Sequence, residues 1–316
     1  MENALIDGRS VWTAKDLADV SVWSVKLSKR VAREAGALVA KLDSAGKTLS
    51  DVNPEDFSGL AYADLAAEIR SELVGGRGIV LLRDVPVTHM SLQGAGMFFW
   101  GLGSLLGTPL PQNLRGDRLY AIEDEGIRDG LVLSSKTNVA LPWHTDSGSG
   151  AFANAVPDLF GLLMIRSARE GGTSHILSAH AVYNRMLRRY PNQLARLFQD
   201  FYFDRSLQAQ PGQEPFIRTA IFEHVDGVIG IRYNRQRINR GYQLAQIKLG
   251  EEEEAALDCL DEVLDDSELT LSFDMVPGDA LFTNNRITLH NRSNFINGDS
   301  PDKRRLLYRL WIQKTR

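Results

Sequence analysis

The segment LTLSFDMVPGDALFTNNRITLHNR, from Leu269 to Arg292, carries the pattern that decides the fold. Its first half places apolar side chains at every second position: Leu269, Leu271, Phe273 and Met275. Such alternation is typical of a strand that buries one face. Pro277-Gly278-Asp279 and Asn284-Asn285 are turn sequences that interrupt the extended stretches. The segment therefore predicts antiparallel strands joined by tight turns.

Similar patterns elsewhere predict more short strands, with helices between them. The other strand-like segments are Gly78–Val87, Leu159–Ala168, Gly171–Ala179 and Arg304–Gln313. The segments with apolar residues at helical spacing are Ser28–Leu42, Tyr62–Leu73, Leu92–Gly107, a helix from about Ala179 that stops at Pro191, and Ala256–Leu264. This order predicts an α+β fold whose core is a double-stranded β-helix, or jelly-roll, with helical decoration.

The division of the chain into domains follows from the same pass along the sequence. No internal repeat or low-complexity linker divides the 316 residues, so we expect a single domain over residues 1–316. About residues 1–77 are expected to form a mostly helical N-terminal region that packs on the core. About residues 78–316 are expected to form the jelly-roll core with its helical insertions.

Composition and charge exclude several classes of function. The net charge is −4 and the pI about 5.9, which argues against a nucleic-acid-binding surface. Cys259 is the only cysteine, which excludes intrachain disulfides and cysteine-based zinc or iron–sulfur sites. No apolar run is long enough to span a bilayer, and the first residues do not resemble a signal peptide. We therefore expect a cytoplasmic protein without membrane partners, whose oligomeric state stays open and is compatible with a homo-oligomer.

A second segment, LPWHTDSGSG, places His144 and Asp146 two residues apart. On an extended chain, side chains at this spacing point to the same side. The pair is either part of a metal site or a polar pair at the edge of a sheet. A ferrous facial triad needs two imidazoles and one carboxylate, and His290 is the best candidate for the third ligand because it ends the strand after the Pro-Gly-Asp turn.

The last predicted strand contains two arginines in an apolar setting. Arg305 and Arg309 share strand parity with Leu307 and Trp311, so all four side chains are expected on one face. A buried guanidinium needs an anionic partner. That partner is either an acidic side chain in a structural salt bridge or the carboxylate of a bound molecule, which arginine recognises with two hydrogen bonds.

Together these elements resemble a known family. His144-Thr145-Asp146, the Gly171-Gly172-Thr173-Ser174 element, His290 and the Arg305-x-x-x-Arg309 strand occur in the order found in the TauD/TfdA-like Fe(II)- and 2-oxoglutarate-dependent dioxygenases. That group also looks similar to clavaminate synthase. The resemblance extends from about Gly78 to Gln313 and implies a single catalytic domain.

The resemblance implies a role for each matching residue. The implied Fe(II) ligands are His144, Asp146 and His290. The implied 2-oxoglutarate residues are Arg305 at the distal carboxylate with Arg309 nearby, Ser174 or Thr173 as a hydroxyl donor to the same carboxylate, and Asn138 lining the cosubstrate pocket. Arg304 is adjacent to Arg305, and we prefer Arg305 because it completes the Arg-x-x-x-Arg pattern.

The resemblance also implies the reaction. Fe(II), 2-oxoglutarate and O2 would oxidise an unactivated C–H bond of a small molecule, with release of succinate and CO2. Halogenating relatives have a small residue in place of the carboxylate, so Asp146 predicts hydroxylation or desaturation. We expect Phe222–Ile238 to contribute to the substrate pocket, with Arg232, Tyr233 and Asn234 contacting a polar or anionic group. Alternatively, this is an ordinary strand whose arginine pairs with a surface acid.

Other interpretations of the same residues remain at this point. A cupin-like jelly-roll metal protein, acting as a non-oxidative isomerase, lyase or ligand-binding module, would use the same triad without arginines aimed at a dicarboxylate. A zinc hydrolase would use it around an activated water. The third alternative is a non-enzymatic scaffold that has kept the fold but lost activity.

Gly148-Ser149-Gly150 is expected to begin a mobile lid over the substrate.

Overall fold

A computed structural model describes residues 4–58, 61–113, 115–126, 136–146, 156–209, 212–225 and 227–314 of the chain. The α-helices in these residues are α1 (Lys29–Ser44), α2 (Glu55–Ser58), α3 (Ala61–Gly75), α4 (Leu92–Leu106), α5 (Ala179–Arg189), α6 (Pro191–Leu197), α7 (Arg235–Ala245) and α8 (Glu251–Leu264). The strands are β1 (Ser24–Lys26), β2 (Ile79–Arg83), β3 (Thr108–Leu110), β4 (Leu119–Ile122), β5 (Leu141–His144), β6 (Leu159–Arg166), β7 (Glu170–Gly171), β8 (Ser174–Ser178), β9 (Asp200–Asp204), β10 (Phe216–Ala220), β11 (Phe222–Val225), β12 (Val228–Ile231), β13 (Leu271–Phe273), β14 (Ala280–Asn284), β15 (Thr288–Arg292), β16 (Phe295–Ile296) and β17 (Leu306–Gln313).

Two larger sheets form the core of the molecule. The major sheet has the strand order β1-β2-β14-β6-β17-β3, with β4 also pairing with β17. The minor sheet has the order β13-β8-β15-β5. Apart from the parallel pair β1 and β2, neighbouring strands in both sheets are antiparallel. Side chains from the two sheets meet in one apolar cluster, for example Leu81 and Leu281 with Ile176 and Leu271. The predicted jelly-roll is confirmed.

Helices α1, α3 and α4 cover the outer face of the major sheet. Val80, Leu82, Phe282 and Ile312 are buried against these helices, whereas the alternate positions face the minor sheet. The strands are therefore buried on both faces, which explains their continuous apolar sequences. Complete burial of one such side chain contributes about 2 kcal/mol relative to exposure.

Helices α5 and α8 cover the outer face of the minor sheet. Leu177 and Leu289 of this sheet pack in one cluster with Val182 of α5 and Leu260 of α8. Both outer faces are thus shielded by helices. The space between the two sheets remains for a functional site.

Several element boundaries differ from the sequence predictions. The helix before Pro191 does end, but Pro191 itself begins α6, because proline needs no backbone donor in a first helical turn. The alternating residues Leu269–Met275 form a strand only over Leu271–Phe273. The last strand begins at Leu306, two residues later than predicted.

In the part of the chain that the structure describes, we find no helix with the length and hydropathy that a bilayer crossing requires.

The glycines of α4 permit close packing, and one of them gives a test of the fold. A Cβ added at Gly101 would lie 2.5 Å from the ring of the fully buried Phe57. We expect Gly101→Ala to destabilise the protein by about 1–3 kcal/mol, since a tightly packed interior resists added atoms. The matched control is Gly36→Ala in α1, where an added Cβ meets no atom within 4 Å. This change should stabilise the helix by up to about 1 kcal/mol. Equal thermal midpoints for the two variants would contradict the packing.

Candidate active site

Neighbouring strands of the minor sheet bring the two candidate histidines together. His290 of β15 is the register partner of His144 of β5, and their ring centroids lie 4.2 Å apart. Asp146 follows β5 and turns its carboxylate to the same place. Its Oδ1 lies 3.7 Å from His144 Nε2 and 3.8 Å from His290 Nε2. One ligand atom from each residue therefore lies within 4.8 Å of the other two.

Both imidazoles are held in a form that can bind a metal. His144 Nδ1–H donates to Pro142 O at 2.8 Å, which leaves the Nε2 lone pair facing the centre of the triad. His290 packs on the ring of Phe160, 4.6 Å away between centroids. Burial lowers the pKa of His144, and burial together with the neighbouring His144 lowers the pKa of His290 to about 3. Neutral imidazoles are the forms that coordinate metal ions.

The Asp146 carboxylate is buried but remains charged. Burial alone would raise its pKa, but the positive charge of Arg309 and the hydrogen bond from Trp311 hold the pKa of Asp146 below its usual value. Arg309 Nη1 lies 3.4 Å from the carboxylate, and Trp311 Nε1–H donates to Oδ2 at 2.7 Å. Two neutral imidazole nitrogens and one carboxylate oxygen form a donor set that fits ferrous iron.

Asn285 fixes the main chain of the candidate carboxylate ligand. Its Oδ1 accepts from Asp146 N–H at 2.8 Å, and its Nδ2 donates to Asp146 O at 2.9 Å and to Pro157 O at 3.0 Å. Asn285 is completely buried. The sequence indicated only a turn at this position, and no local pattern identified the partner 139 residues away.

Replacement of Asn285 tests this arrangement. We expect Asn285→Ala to weaken Fe(II) binding by roughly 10- to 100-fold, as found when residues that orient metal ligands are removed. Anaerobic competition with a metal-binding chromophore measures the change. Asn192→Ala, an exposed position in α6, serves as the control and should bind Fe(II) like the wild type. Unchanged Fe(II) affinity in Asn285→Ala would show that the hydrogen bonds from Asn285 to the Asp146 main chain do not influence metal binding.

A cavity of about 520 Å³ surrounds the triad between the two sheets. Arg305, Leu307, Arg309 and Trp311 all line it, so the predicted strand parity is confirmed. Arg304, by contrast, is exposed and is not among the described residues that line the cavity. Of the two adjacent arginines, the structure thus places Arg305 toward the triad.

Arg305 brings a buried positive charge to the wall of the cavity. Its side chain is 4% exposed, and no carboxylate of the described residues forms an ion pair with it. Burial and the neighbouring Arg292 lower the pKa of Arg305 to about 9. Its guanidinium lies 5.1 Å from the centre of the Phe295 ring. An added Cβ at Gly172 (φ +79°) would lie 3.3 Å from Arg305 Nε, so the Gly171-Gly172 element permits this close approach.

Of the other three residues assigned to the cosubstrate, one lines the cavity. Ser174 lines the cavity together with Arg305. Among the described residues, Thr173 and Asn138 are not part of the lining. Their main chains bond to the segment after β15: Ser293 N–H donates to Thr173 O, and Phe295 N–H donates to Asn138 O.

Of the three residues assigned to the substrate, one lines the cavity. Asn234 lines the cavity, and its side-chain oxygen accepts from Arg237 N–H at the start of α7. Arg232 instead forms an ion pair with Glu223 at 3.1 Å, as the alternative interpretation of this strand expected. Tyr233 is buried and donates its hydroxyl hydrogen to Asp261. Neither of these two side chains belongs to the described lining of the cavity. The expected lid at Gly148-Ser149-Gly150 lies outside the described residues.

Comparison with known proteins identifies the family. The model of the taurine catabolism dioxygenase TauD, TfdA family matches residues 40–311. The chain belongs to this family. It is therefore a non-haem Fe(II)- and 2-oxoglutarate-dependent dioxygenase that uses O2, as the resemblance implied. The cupin-like and zinc hydrolase interpretations are superseded by this family membership.

Two curated relatives of this dioxygenase match nearly the whole chain. FR-33289 synthase of Streptomyces rubellomurinus is 29% identical over 313 residues, which cover 97% of this chain and 90% of the relative. The taurine hydroxylase-like protein SAT17 of Stachybotrys chartarum is 24% identical over 319 residues, covering 96% and 79% of the two chains.

Solved structures share the fold of this dioxygenase at low sequence identity. Asparagine oxygenase (AsnO) matches with a TM-score of 0.69 and 16% identity, over 92% of this chain and 93% of the other. The non-heme iron oxygenase OrfP, solved in complex with Fe and alpha-ketoglutaric acid, matches with a TM-score of 0.69 and 16% identity over 92% and 94%.

Proposed function

We propose that His144, Asp146 and His290 hold Fe(II), and that the enzyme hydroxylates or desaturates an unactivated C–H bond of a small anionic molecule. The observation that carries the proposal is the convergence of one ligand atom from each of the three residues within 4.8 Å of one another inside the cavity. Bound iron supplies the site at which O2 is reduced with electrons from 2-oxoglutarate and the substrate. In hydroxylation, 2-oxoglutarate, O2 and the substrate R–H give succinate, CO2 and R–OH.

Arg305 is the anchor for 2-oxoglutarate in this proposal. A guanidinium binds a carboxylate with two parallel hydrogen bonds, and the burial of Arg305 strengthens that attraction. The Ser174 hydroxyl is a second donor on the same cavity wall. Arg309 contributes through Asp146, whose charge it balances. We leave Thr173 and Asn138 out of the cosubstrate set because they are outside the described lining.

The charge of the cavity supports an anionic substrate. The described lining contains several arginines but a single carboxylate, Asp146. These arginines are Arg115, Arg237, Arg292, Arg305 and Arg309. Arg115 and Arg237 pair with Asp117 and Asp204 outside the lining, at 3.1 and 3.0 Å. The support therefore comes from Arg292 and Arg305, which form no ion pair with a carboxylate of the described residues. The Arg115 side chain is 81% exposed, so this part of the lining is open to solvent. AsnO and OrfP were solved with 3-hydroxyasparagine and (3S)-hydroxy-L-Arg, amino acids whose carboxylate is balanced by an amino group, so they support a carboxylate on the substrate but not its net charge.

We propose further that the entire chain forms one catalytic domain. Support comes from a single apolar cluster that joins Val31 and Ile69 of the N-terminal helices to Val80 and Phe282 of the major sheet. In this proposal residues 1–77 pack on the jelly-roll core as an integral layer.

The free thiol of Cys259 suits a reducing compartment such as the cytoplasm, where we place the enzyme.

A screen for substrate-dependent succinate formation tests the proposed function. Small carboxylates, sulfonates and phosphate esters are compared with their neutral amide or ester analogues, in the presence of Fe(II), 2-oxoglutarate and O2. We expect stoichiometric succinate and oxidised product with one class of anion and at least about tenfold less with its neutral analogue, the equivalent of 1.4 kcal/mol. Equal turnover of the neutral and charged forms would contradict an anionic substrate.

A further inference from the structure

The two oxygens of Asp146 have different surroundings, and one side chain creates the difference. Arg309 Nη1 lies 3.4 Å from both Oδ1 and Oδ2, so its charge does not distinguish them. Oδ1 faces the Nε2 atoms of His144 and His290. Oδ2 accepts from the indole N–H of Trp311 at 2.7 Å. Among the described residues, Trp311 is the donor that breaks the symmetry of the carboxylate.

The indole is held rigidly in this position. Trp311 is 5% exposed and packs against Phe160, its register partner on β6. The Arg309 guanidinium lies over the indole ring, 4.6 Å from its centre. A donor fixed on two sides keeps its hydrogen bond directed at one point, because it cannot follow a carboxylate that turns.

Arg309 is prevented from taking over this role by its own hydrogen bonds. Its Nε–H donates to Gln112 Oε1 at 2.7 Å, and Gln112 Nε2 donates to Arg309 O at 2.8 Å. Gln112 is itself buried and also donates to Arg118 O. The guanidinium is therefore held where it faces both carboxylate oxygens equally, and it cannot turn toward Oδ2 alone without breaking the Nε–H bond to Gln112.

We propose that Trp311 is a positioning residue that keeps Asp146 a one-oxygen metal ligand. The inference rests on the proposed Fe(II) site. With Oδ2 engaged by the indole, Asp146 offers Oδ1 alone to the metal. A carboxylate free to turn can offer both oxygens and thereby occupy a position that the chelating 2-oxo acid or O2 requires. Trp311 thus preserves the open positions of the site.

Substitution of Trp311 by phenylalanine tests the proposal, since it keeps an aromatic ring in place and removes the N–H donor. The matched control is Trp100→Phe, which removes an indole donor to Val52 O outside the cavity lining described here. Anaerobic titrations measure the dissociation constants of Fe(II) and 2-oxoglutarate. We expect Trp311→Phe to weaken 2-oxoglutarate binding by about 10- to 100-fold, in line with loss of one hydrogen bond to a charged group, and to change Fe(II) binding less than about threefold.

Infrared difference spectra of protein labelled with ¹³C in the aspartate carboxyl report the coordination mode directly. On addition of Fe(II), the antisymmetric and symmetric carboxylate stretching frequencies should be widely separated in the wild type and in Trp100→Phe. In Trp311→Phe their separation should be narrow. Identical separations and 2-oxoglutarate affinities in all three proteins overturn the proposal. If the wild type shows no carboxylate shift with Fe(II), the metal site itself is wrong.

A second variant covers the case in which Trp311→Phe does not fold. Replacement of Trp311 by benzothienylalanine substitutes sulfur for the indole N–H and keeps the two fused rings. The same weakening of 2-oxoglutarate binding and the same narrow infrared separation are expected. Wild-type values in this protein overturn the assignment of Trp311.

Discussion

Asp146→Ala is expected to abolish substrate-dependent formation of succinate, with a loss of about a thousandfold or more. The substitution removes one of three proposed ligands, and loss of several kcal/mol of metal interaction corresponds to such a factor. It also leaves Arg309 buried without its carboxylate, since their atoms lie 3.4 Å apart. Removing one partner of a buried ion pair costs about 3–5 kcal/mol, so the variant should also melt at a lower temperature.

The control for this prediction is Asp302→Ala, an exposed aspartate in the short 3-10 helix Pro301–Lys303 that precedes β17. It should keep the wild-type rate and thermal midpoint. Asp146→Asn separates the two effects, because an amide oxygen retains an acceptor for Trp311 but not the charge. If Asp146→Ala forms succinate in a substrate-dependent way at more than about one-tenth of the wild-type rate, Asp146 is not an essential ligand.

Arg305→Ala is expected to weaken 2-oxoglutarate binding by about a hundredfold while leaving the rate at saturating 2-oxoglutarate within severalfold of the wild type. The size follows from the loss of about 2–5 kcal/mol when a buried, hydrogen-bonded charge pair is broken. The effect should fall on the cosubstrate alone, since Arg305 forms no ion pair with an acidic group of the described residues. Initial rates at varied 2-oxoglutarate measure both quantities.

Arg304→Ala is the matched control, because Arg304 is the adjacent arginine and is exposed. It should bind 2-oxoglutarate like the wild type. A 2-oxo acid without the distal carboxylate sharpens the test, since wild type and Arg305→Ala should bind it about equally. Equal losses for both 2-oxo acids would indicate a general distortion of the cavity, and a large loss in Arg304→Ala would reverse the assignment.

The parts of the site that the sequence predicted correctly depend on local geometry. Strand parity is set by a period of two residues, so the common orientation of Arg305, Leu307, Arg309 and Trp311 followed from the sequence alone. The same rule placed His144 and Asp146 on one side of the chain. His290 was selected because its strand was expected to pair in the sheet that holds His144, and β15 does pair with β5. The strands around the two turns do not all share that sheet, because β14 lies in the major sheet whereas β13 and β15 lie in the minor one.

The parts that the sequence did not predict depend on contacts between distant segments. Asn285 and Asp146 are 139 residues apart, and Gln112 and Arg309 are 197 apart. No spacing rule connects such pairs. Arg232 lies in the segment expected to contribute to the substrate pocket, with an ion pair as the alternative, and the sequence could not name Glu223 of the adjacent strand as its partner. Arg237 was overlooked because its position at the cavity depends on how α7 packs.

The most direct test of the central claim is anaerobic titration of 2-oxoglutarate into Fe(II)-loaded protein, followed by visible absorption. A weak charge-transfer band should appear and saturate at one 2-oxoglutarate and one Fe(II) per chain, and His290→Ala should not develop it. Absence of the band in the wild type, or an unchanged band in His290→Ala, would contradict a shared iron site formed by His144, Asp146 and His290.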